Sequence, residues 1–537
     1  MESAERDRRI FLAKVLLTMA ASLILFFWMN PGFPHRFFML KTLAGKGIFL
    51  LTFLLAWGAL LACTIAHRVW AGIFLLFFAV NLLISTTYAR VMGRSMNLND
   101  AQNMREAMGS IMDAVRQYGG TVGIVSIMIL GLVALLLWSR KQVRKRSSIP
   151  LIACSLGVSL SYGSFLARGG AASMLCFPAN FESGMHAMAL YFEPMVRHRV
   201  HKHEQPLLTQ ELPLDAAVKN VVMVIDESVE ATAFEEAMKG VRIPNAKDLG
   251  IGYSYENSSA GSNLMLRRAA DPRAVDQSIR EFPSLFEVAK KHGYSTTYLD
   301  AQGILSDGDV ADYIDAKDTN FIDTLPPLKD FGPRHMRDLQ AVGMLADLFA
   351  KHERNFVLVN KQGSHFPYAK NLPPELAGVA DPYRASLERT STGFLAALAA
   401  QLPPGTLVFY TSDHGQNFKA RAPHNNAPGE SSVAEWSVPL VVLFSEDLKG
   451  WADRIPSEWV NHGTHAALAE SVRNLLGVRN PGMESLHSKP TAEAMVRHRA
   501  YYGSPKGLFG EPVLSLWIDK DQRAFTTPPQ PGTRAAQ

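Results

Sequence analysis

The chain has 537 residues, of which 47% are hydrophobic and 19% charged, with a formal net charge of +5. That length exceeds one ordinary domain, and so modest a positive balance gives no ground for a nucleic-acid partner. Its three cysteines, Cys63, Cys154 and Cys176, lie in or near the apolar N-terminal half, which excludes a disulfide framework, a cysteine nucleophile or a thiolate metal site from the rest.

Five apolar stretches come first: Ile10–Met29, Gly47–Ala66, Val69–Ala89, Val122–Trp138 and Ile149–Leu166. Each approaches the roughly 20 residues that cross a bilayer, the last two being shorter. The first lacks a small-residue cleavage site and reads as a retained span. Arg6, Arg8 and Arg9 precede it, His67-Arg68 follows the second, and a basic run from Arg140 to Arg146 separates the last two. Positive loops face the cytoplasm, so five crossings place everything beyond about residue 170 outside. Between the third and fourth spans, Met104, Met108, Ile111, Met112 and Val115 recur at helical spacing, with Asn99, Asn103 and Glu106 nearby. This predicts a helix lying at the outer membrane interface near 95–118.

A connector over 171–215 leads into a domain over 216–520 in which strand-like and helix-like runs alternate. Strands are predicted at Asn220–Ile225, Tyr294–Leu299, Asn355–Val359, Thr406–Tyr410 and Val438–Phe444. Helices are predicted at Phe282–Lys291, Asp338–Lys351, Tyr383–Leu402 and Thr464–Leu476. The pattern implies a mainly parallel sheet with helices on both faces. The tail over 521–537, with Pro528, Pro529 and Pro531, is expected to be disordered.

Three of those strands run into polar clusters: Asp226-Glu227-Ser228, Gln362-Gly363-Ser364-His365 and Ser412-Asp413-His414-Gly415. Sheets of this kind place their chemistry at the carboxyl ends of strands. Glu227, Asp413 and His414 form an oxygen and nitrogen donor set that suits zinc best and also admits manganese or magnesium. The segment Asn257–Asn263 supplies hydroxyls ahead of a helix-like run, where a helix N-terminus favours a phosphoryl oxygen. A metal-bound hydroxyl there would act as a nucleophile.

With these motifs the chain resembles the membrane-bound phosphoethanolamine transferases of the alkaline phosphatase/sulfatase superfamily over nearly its whole length. The resemblance implies an α-helical membrane domain of about five spans and an α/β/α sandwich in the periplasm, in the bacterial inner membrane. It implies zinc held by Glu227, Asp413 and His414, with Ser259 as nucleophile and fourth ligand; Ser262, beside Gly261, is the second candidate. His365 and His424 are implied near the phosphate, and Asn99 and Asn103, with Glu106, at the donor lipid. Departures include Ser in place of Thr as nucleophile, Asn360 where many relatives have His, and Glu230 where an Arg is common. The implied activity transfers phosphoethanolamine from phosphatidylethanolamine to lipid A, a lipopolysaccharide core or a periplasmic glycan, by a monomer. The alternatives are a phosphoglycerol transferase using phosphatidylglycerol and an inactive lipid-binding scaffold.

Overall fold

The computed structural model describes residues 2–30, 33–40, 42–92, 96, 101, 104, 111–141, 143, 146–173, 182–197, 208–303, 318–376, 378–419, 423–424, 426, 431–502, 515–519 and 524–525. They fall into two compact units divided near residue 203.

The N-terminal unit is helical, with long helices at Glu2–Trp28, Leu43–Ala62, Arg68–Met92, Gly119–Arg140, Ile149–Ser173 and Glu182–Arg197. All five expected spans are therefore helical. Leu43–Ala62, Arg68–Met92 and Gly119–Arg140 are long and apolar enough to cross a membrane, whereas the apolar parts Ala13–Trp28 and Ile149–Ser164 are shorter. Phe26, Phe53, Ala56, Ala59, Phe78 and Leu132 interdigitate in one apolar cluster. Several polar groups pair internally, as surroundings without water favour. The Thr86 hydroxyl donates to the Met29 carbonyl at 3.0 Å, and Tyr162 meets His186 at 2.8 Å. Of the expected interfacial helix, Ile111–Gln117 is helical. Asn99, Asn103 and Glu106 lie outside the described residues.

The C-terminal unit is built on seven strands: β1 (Asn220–Asp226), β2 (Ala246–Tyr253), β3 (Ser295–Asp300), β4 (Asn355–Asn360), β5 (Thr406–Ser412), β6 (Ser437–Phe444) and β7 (Gly463–Thr464). They lie in the order β3-β4-β1-β5-β6-β2-β7. The β3-β4-β1-β5 part is parallel, while β6 runs antiparallel to both β5 and β2. Strands β2 and β7 are parallel as well, so the sheet is mainly parallel, as expected, and mixed only through β6. A parallel return needs a crossover, usually a helix, and between β5 and β6 the only described regular element is the short turn Val433–Glu435.

Uninterrupted aliphatic runs such as Asn220-Val-Val-Met-Val-Ile make strands buried on both faces. Along β1, Val221, Met223 and Ile225 join a core with Leu285, Phe286 and Leu468. The alternate residues Val222 and Val224 join a second core with Phe234, Leu345 and Phe394. Helices therefore cover both faces, giving an α/β/α sandwich.

The helix expected at Tyr383–Leu402 is present and continuous, running through Pro382–Ser386, a π-helical stretch Leu387–Thr392 and Gly393–Ala399. The Thr390 and Thr392 hydroxyls bond back to carbonyls four residues earlier, and the Thr390 carbonyl is drawn to the Lys361 ammonium. Competition of this kind with the helical ladder produces such bulges. A further sheet, β8 (Arg497–Tyr501), β9 (Ser515–Asp519) and β10 (Ala524–Phe525), went unread in the sequence. Its last strand corrects the expectation of a wholly disordered tail, because β9 offers Trp517 and Ile518 as pairing partners.

Candidate active site

Register assembles the site. Strands β1 and β5 pair in parallel with Asp226 opposite Ser412, so the residues that follow, Glu227 and Asp413-His414, emerge side by side. One ligand atom from each of Glu227, Asp413 and His414 lies within 4.8 Å of the others, and all three residues are buried. Ser259 is the first residue of helix Ser259–Arg268. Its Oγ lies 3.2 Å from Glu227 Oε1 and 3.1 Å from His414 Nε2.

The donor chemistry suits a cation. His414 Nδ1 sits 2.7 Å from the Gly415 carbonyl. A carbonyl can only accept, so the neutral ring carries its hydrogen on Nδ1 and its lone pair on Nε2. Asp413 Oδ1 accepts the N–H groups of Ser228 at 2.9 Å and His414 at 2.7 Å. Its other oxygen, Oδ2, is buried with no hydrogen-bond partner among the described residues. Burial, and then the neighbouring Glu227 charge, push the Asp413 carboxyl up to about 7. Burial likewise raises Glu227. Two enclosed carboxylates beside an imidazole lone pair, one with an unused oxygen, are what a divalent cation would relieve. The residues fit zinc, with Ser259 Oγ as a fourth donor.

The backbone is shaped around these groups. Ser228 has φ of 61°, an uncommon region for a non-glycine residue, and its hydroxyl donates to Glu227 Oε1 at 2.7 Å. Gly363 has φ of 52°. A Cβ there would come 2.2 Å from Asp226 Oδ1 and 2.6 Å from the Glu227 nitrogen, so only glycine allows β4 to close on β1.

Of the histidines, His424 has its ring 4.4 Å from that of His414. Its Nδ1 lies 3.0 Å from Gln416 Oε1. Burial, then competition for protons with the neighbouring His414 and His365, holds its pKa well below the usual value. His365 follows β4, its carbonyl accepting from Asn371 at 2.7 Å. Ser262 meets His465 Nδ1 at 3.2 Å rather than the Glu227–Asp413–His414 cluster. Glu230 caps helix Ala231–Met238 through the Thr232 and Ala233 nitrogens.

Sequence reasoning missed the supports beneath the cluster. Gln302 Nε2 donates to Glu227 Oε2 at 2.9 Å and to the Lys361 carbonyl at 2.9 Å. Gln302 follows the end of β3, so the rule that found the other clusters also reaches it. Lys361, Asp226 and Asp338 are fully buried. Lys361 pairs with Asp226 and lies 3.9 Å from Asp338. Asp226 Oδ1 in turn accepts the Glu227 N–H at 2.9 Å. No apolar pattern announces a lysine buried at a strand end.

Residues 250–478 match the sulfatase family model. The integral membrane lipooligosaccharide phosphoethanolamine transferase A of Neisseria meningitidis shares the fold, at 15% identity and a TM-score of 0.59 over 88% of this chain and 96% of that one. The C-terminal periplasmic domain of EptC from Escherichia coli, solved as a complex with Zn, covers 59% of this chain and 97% of its own at 15% identity and a TM-score of 0.46. No curated protein matches the chain. An N-terminal set of apolar helices and a C-terminal sulfatase-like α/β domain make up the fold.

Proposed function

We propose that this protein is a membrane-anchored, metal-dependent phosphoethanolamine transferase. It takes the headgroup from phosphatidylethanolamine and passes it to a cell-envelope acceptor, namely lipid A, a lipopolysaccharide core or a periplasmic glycan. The reading is supported by the fold shared with a lipooligosaccharide phosphoethanolamine transferase. The observation that carries it is the Ser259 hydroxyl, at a helix N-terminus and within 3.2 Å of both Glu227 and His414.

Ser259 Oγ attacks the phosphorus of the donor. An O–P bond to serine forms as the bond to diacylglycerol breaks, and the serine proton ends on the departing diacylglycerol oxygen. The N-terminus of helix Ser259–Arg268 favours the oxyanions around that phosphorus. His424 and His365 stand beside the phosphoryl group and handle protons and charge there. A hydroxyl or phosphate of the acceptor then displaces Ser259, which regains its proton. Zinc held by Glu227, Asp413, His414 and Ser259 would supply the charge that favours the ionised serine and offsets negative charge on the phosphoryl oxygens. The catalytic unit belongs on the periplasmic face of the inner membrane.

Incubating the metal-loaded full-length protein with phosphatidylethanolamine alone should leave phosphoethanolamine on Ser259, read by peptide mass mapping. Ser259→Ala should abolish the adduct. An adduct on Ser262 would reassign the nucleophile, and labelling by phosphatidylglycerol alone would reassign the headgroup.

A further inference from the structure

Strand β8 alternates two kinds of residue. Its His498 and Ala500 are buried, and Ala500 packs with Trp436 and Leu516. Arg497, Arg499 and Tyr501 occupy the opposite face, with Trp517 of β9 directly across from Arg499. Arg497, Arg499 and Trp517, together with His498, border a cavity of about 280 Å³. Tyr253 at the end of β2, the turn Asp271–Arg273 and Glu484 close its other sides. The cavity shares none of the residues Glu227, Asp413, His414 or Ser259.

The charges in this cavity are unevenly matched. Arg273 grips Asp271 through Nε at 2.9 Å and Nη2 at 2.6 Å, with Glu484 and Glu493 adding to its stabilisation. Arg497 bonds Glu493 at 2.7 Å and covers the Trp517 ring at 4.6 Å. Arg499 makes no hydrogen bond or ion pair among the described residues. It meets only rings, Tyr501 at 5.5 Å and Trp517 at 5.9 Å. Its Nε is buried without an acceptor. With no carboxylate on it among the described residues, the forked guanidinium of Arg499 is left to an outside oxyanion, and its geometry favours phosphate. Beside it, Trp517 offers an aromatic wall, while Glu484, Thr464 and Thr491 on the lining offer partners for hydroxyl groups.

From this arrangement we propose a second binding site that takes a phosphorylated sugar, its phosphate on Arg499 and its ring beside Trp517 and the hydroxyl partners. The site adds to the transferase reading and does not rest on it, because binding is measured without transfer. As an accessory site it would hold a phosphorylated glycan on the catalytic unit independently of the metal cluster.

The test titrates the metal-loaded full-length protein in detergent with glucose 6-phosphate, glucose and inorganic phosphate by calorimetry. Glucose 6-phosphate should bind, and each of the other two should bind at least about tenfold more weakly. Arg499→Gln should weaken glucose 6-phosphate by about tenfold or more, the loss expected of one charge-assisted pair. Arg499→Lys, which keeps the charge but loses the fork, should fall between, and both variants should melt like the parent. Asp413→Asn should leave this binding unchanged, which separates the site from the metal cluster. No binding by the parent, equal binding by Arg499→Gln, loss in Asp413→Asn, or inorganic phosphate binding as tightly as the sugar phosphate would each overturn the proposal.

Discussion

The two oxygens of Glu227 have different neighbours. Oε1 faces the Ser228 and Ser259 hydroxyls, whereas Oε2 takes the Gln302 amide. Gln302 therefore fixes the rotation of the carboxylate and leaves Oε1 towards the nucleophile. Partners that orient metal ligands typically affect metal affinity by about 10–100-fold. Gln302→Leu is expected to weaken zinc binding by about tenfold while the fold persists, read by competition with a chromophoric chelator. Asp413→Ala is expected to do far more, removing a ligand and leaving Glu227 and His414 insufficient to retain the ion. Full zinc occupancy of purified Asp413→Ala would contradict the ligand set.

Secondary-structure elements are locked together by buried charge. Lys361 follows β4, Asp226 ends β1 and Asp338 lies in the first turn of helix Arg337–Lys351. Asp338 also accepts the Gln362 and Gly363 N–H groups at 2.8 and 3.0 Å. The Lys361 ammonium lies 4.6 Å from the centre of the Phe394 ring. Removing one member strands an uncompensated charge, a change that costs about 3–5 kcal/mol in buried pairs. Lys361→Met should lower the thermal midpoint of the catalytic unit accordingly, and adding Asp226→Asn should recover part of the loss. A single variant as stable as the parent would show that the triad contributes nothing.

Strand β8 carries a pH-sensitive element too. His498 stacks on Tyr253 with ring centres 4.7 Å apart, and burial pushes its pKa from 6.5 down to about 3. Unfolded chains take up that proton below about pH 6.5, while the folded protein resists until about 3. Its contribution is therefore intact above pH 6.5 and is lost on acidification through that window, by about 1.4 kcal/mol per pH unit. His498→Phe should flatten the acid limb of a stability-against-pH curve by one proton, and an unchanged slope would refute the assignment.

At the scale of the whole molecule, the prediction concerns sidedness. The basic run Arg140–Arg146 and the basic N-terminus belong on one side of the membrane. Inside the helical unit, Arg140 and Arg146 bond the Cys63 and Thr64 carbonyls at 2.6 and 2.7 Å. That brings the end of the second expected span together with the loop between the fourth and fifth. An alkaline phosphatase reporter fused after residue 215 should be active, since it requires export. Inactivity there, with activity at a fusion in the 141–148 loop, would invert the topology.

The sequence by itself determined the apolar helices, the inner strands and the polar clusters Glu227, His365 and Asp413-His414. Each rests on a local signal: an uninterrupted aliphatic run, ended abruptly by polar residues, reads the same in any context. The antiparallel course of β6, the π-helical stretch Leu387–Thr392 and the sheet formed by β8 to β10 were decided by the tertiary structure, because pairing partners and diverted carbonyls come from distant segments. The same holds for the site's interior. Asp226 opposite Ser412, Gln302 on Glu227 and Lys361 between two aspartates are register and packing outcomes, and a residue's type does not reveal which buried charge it will meet.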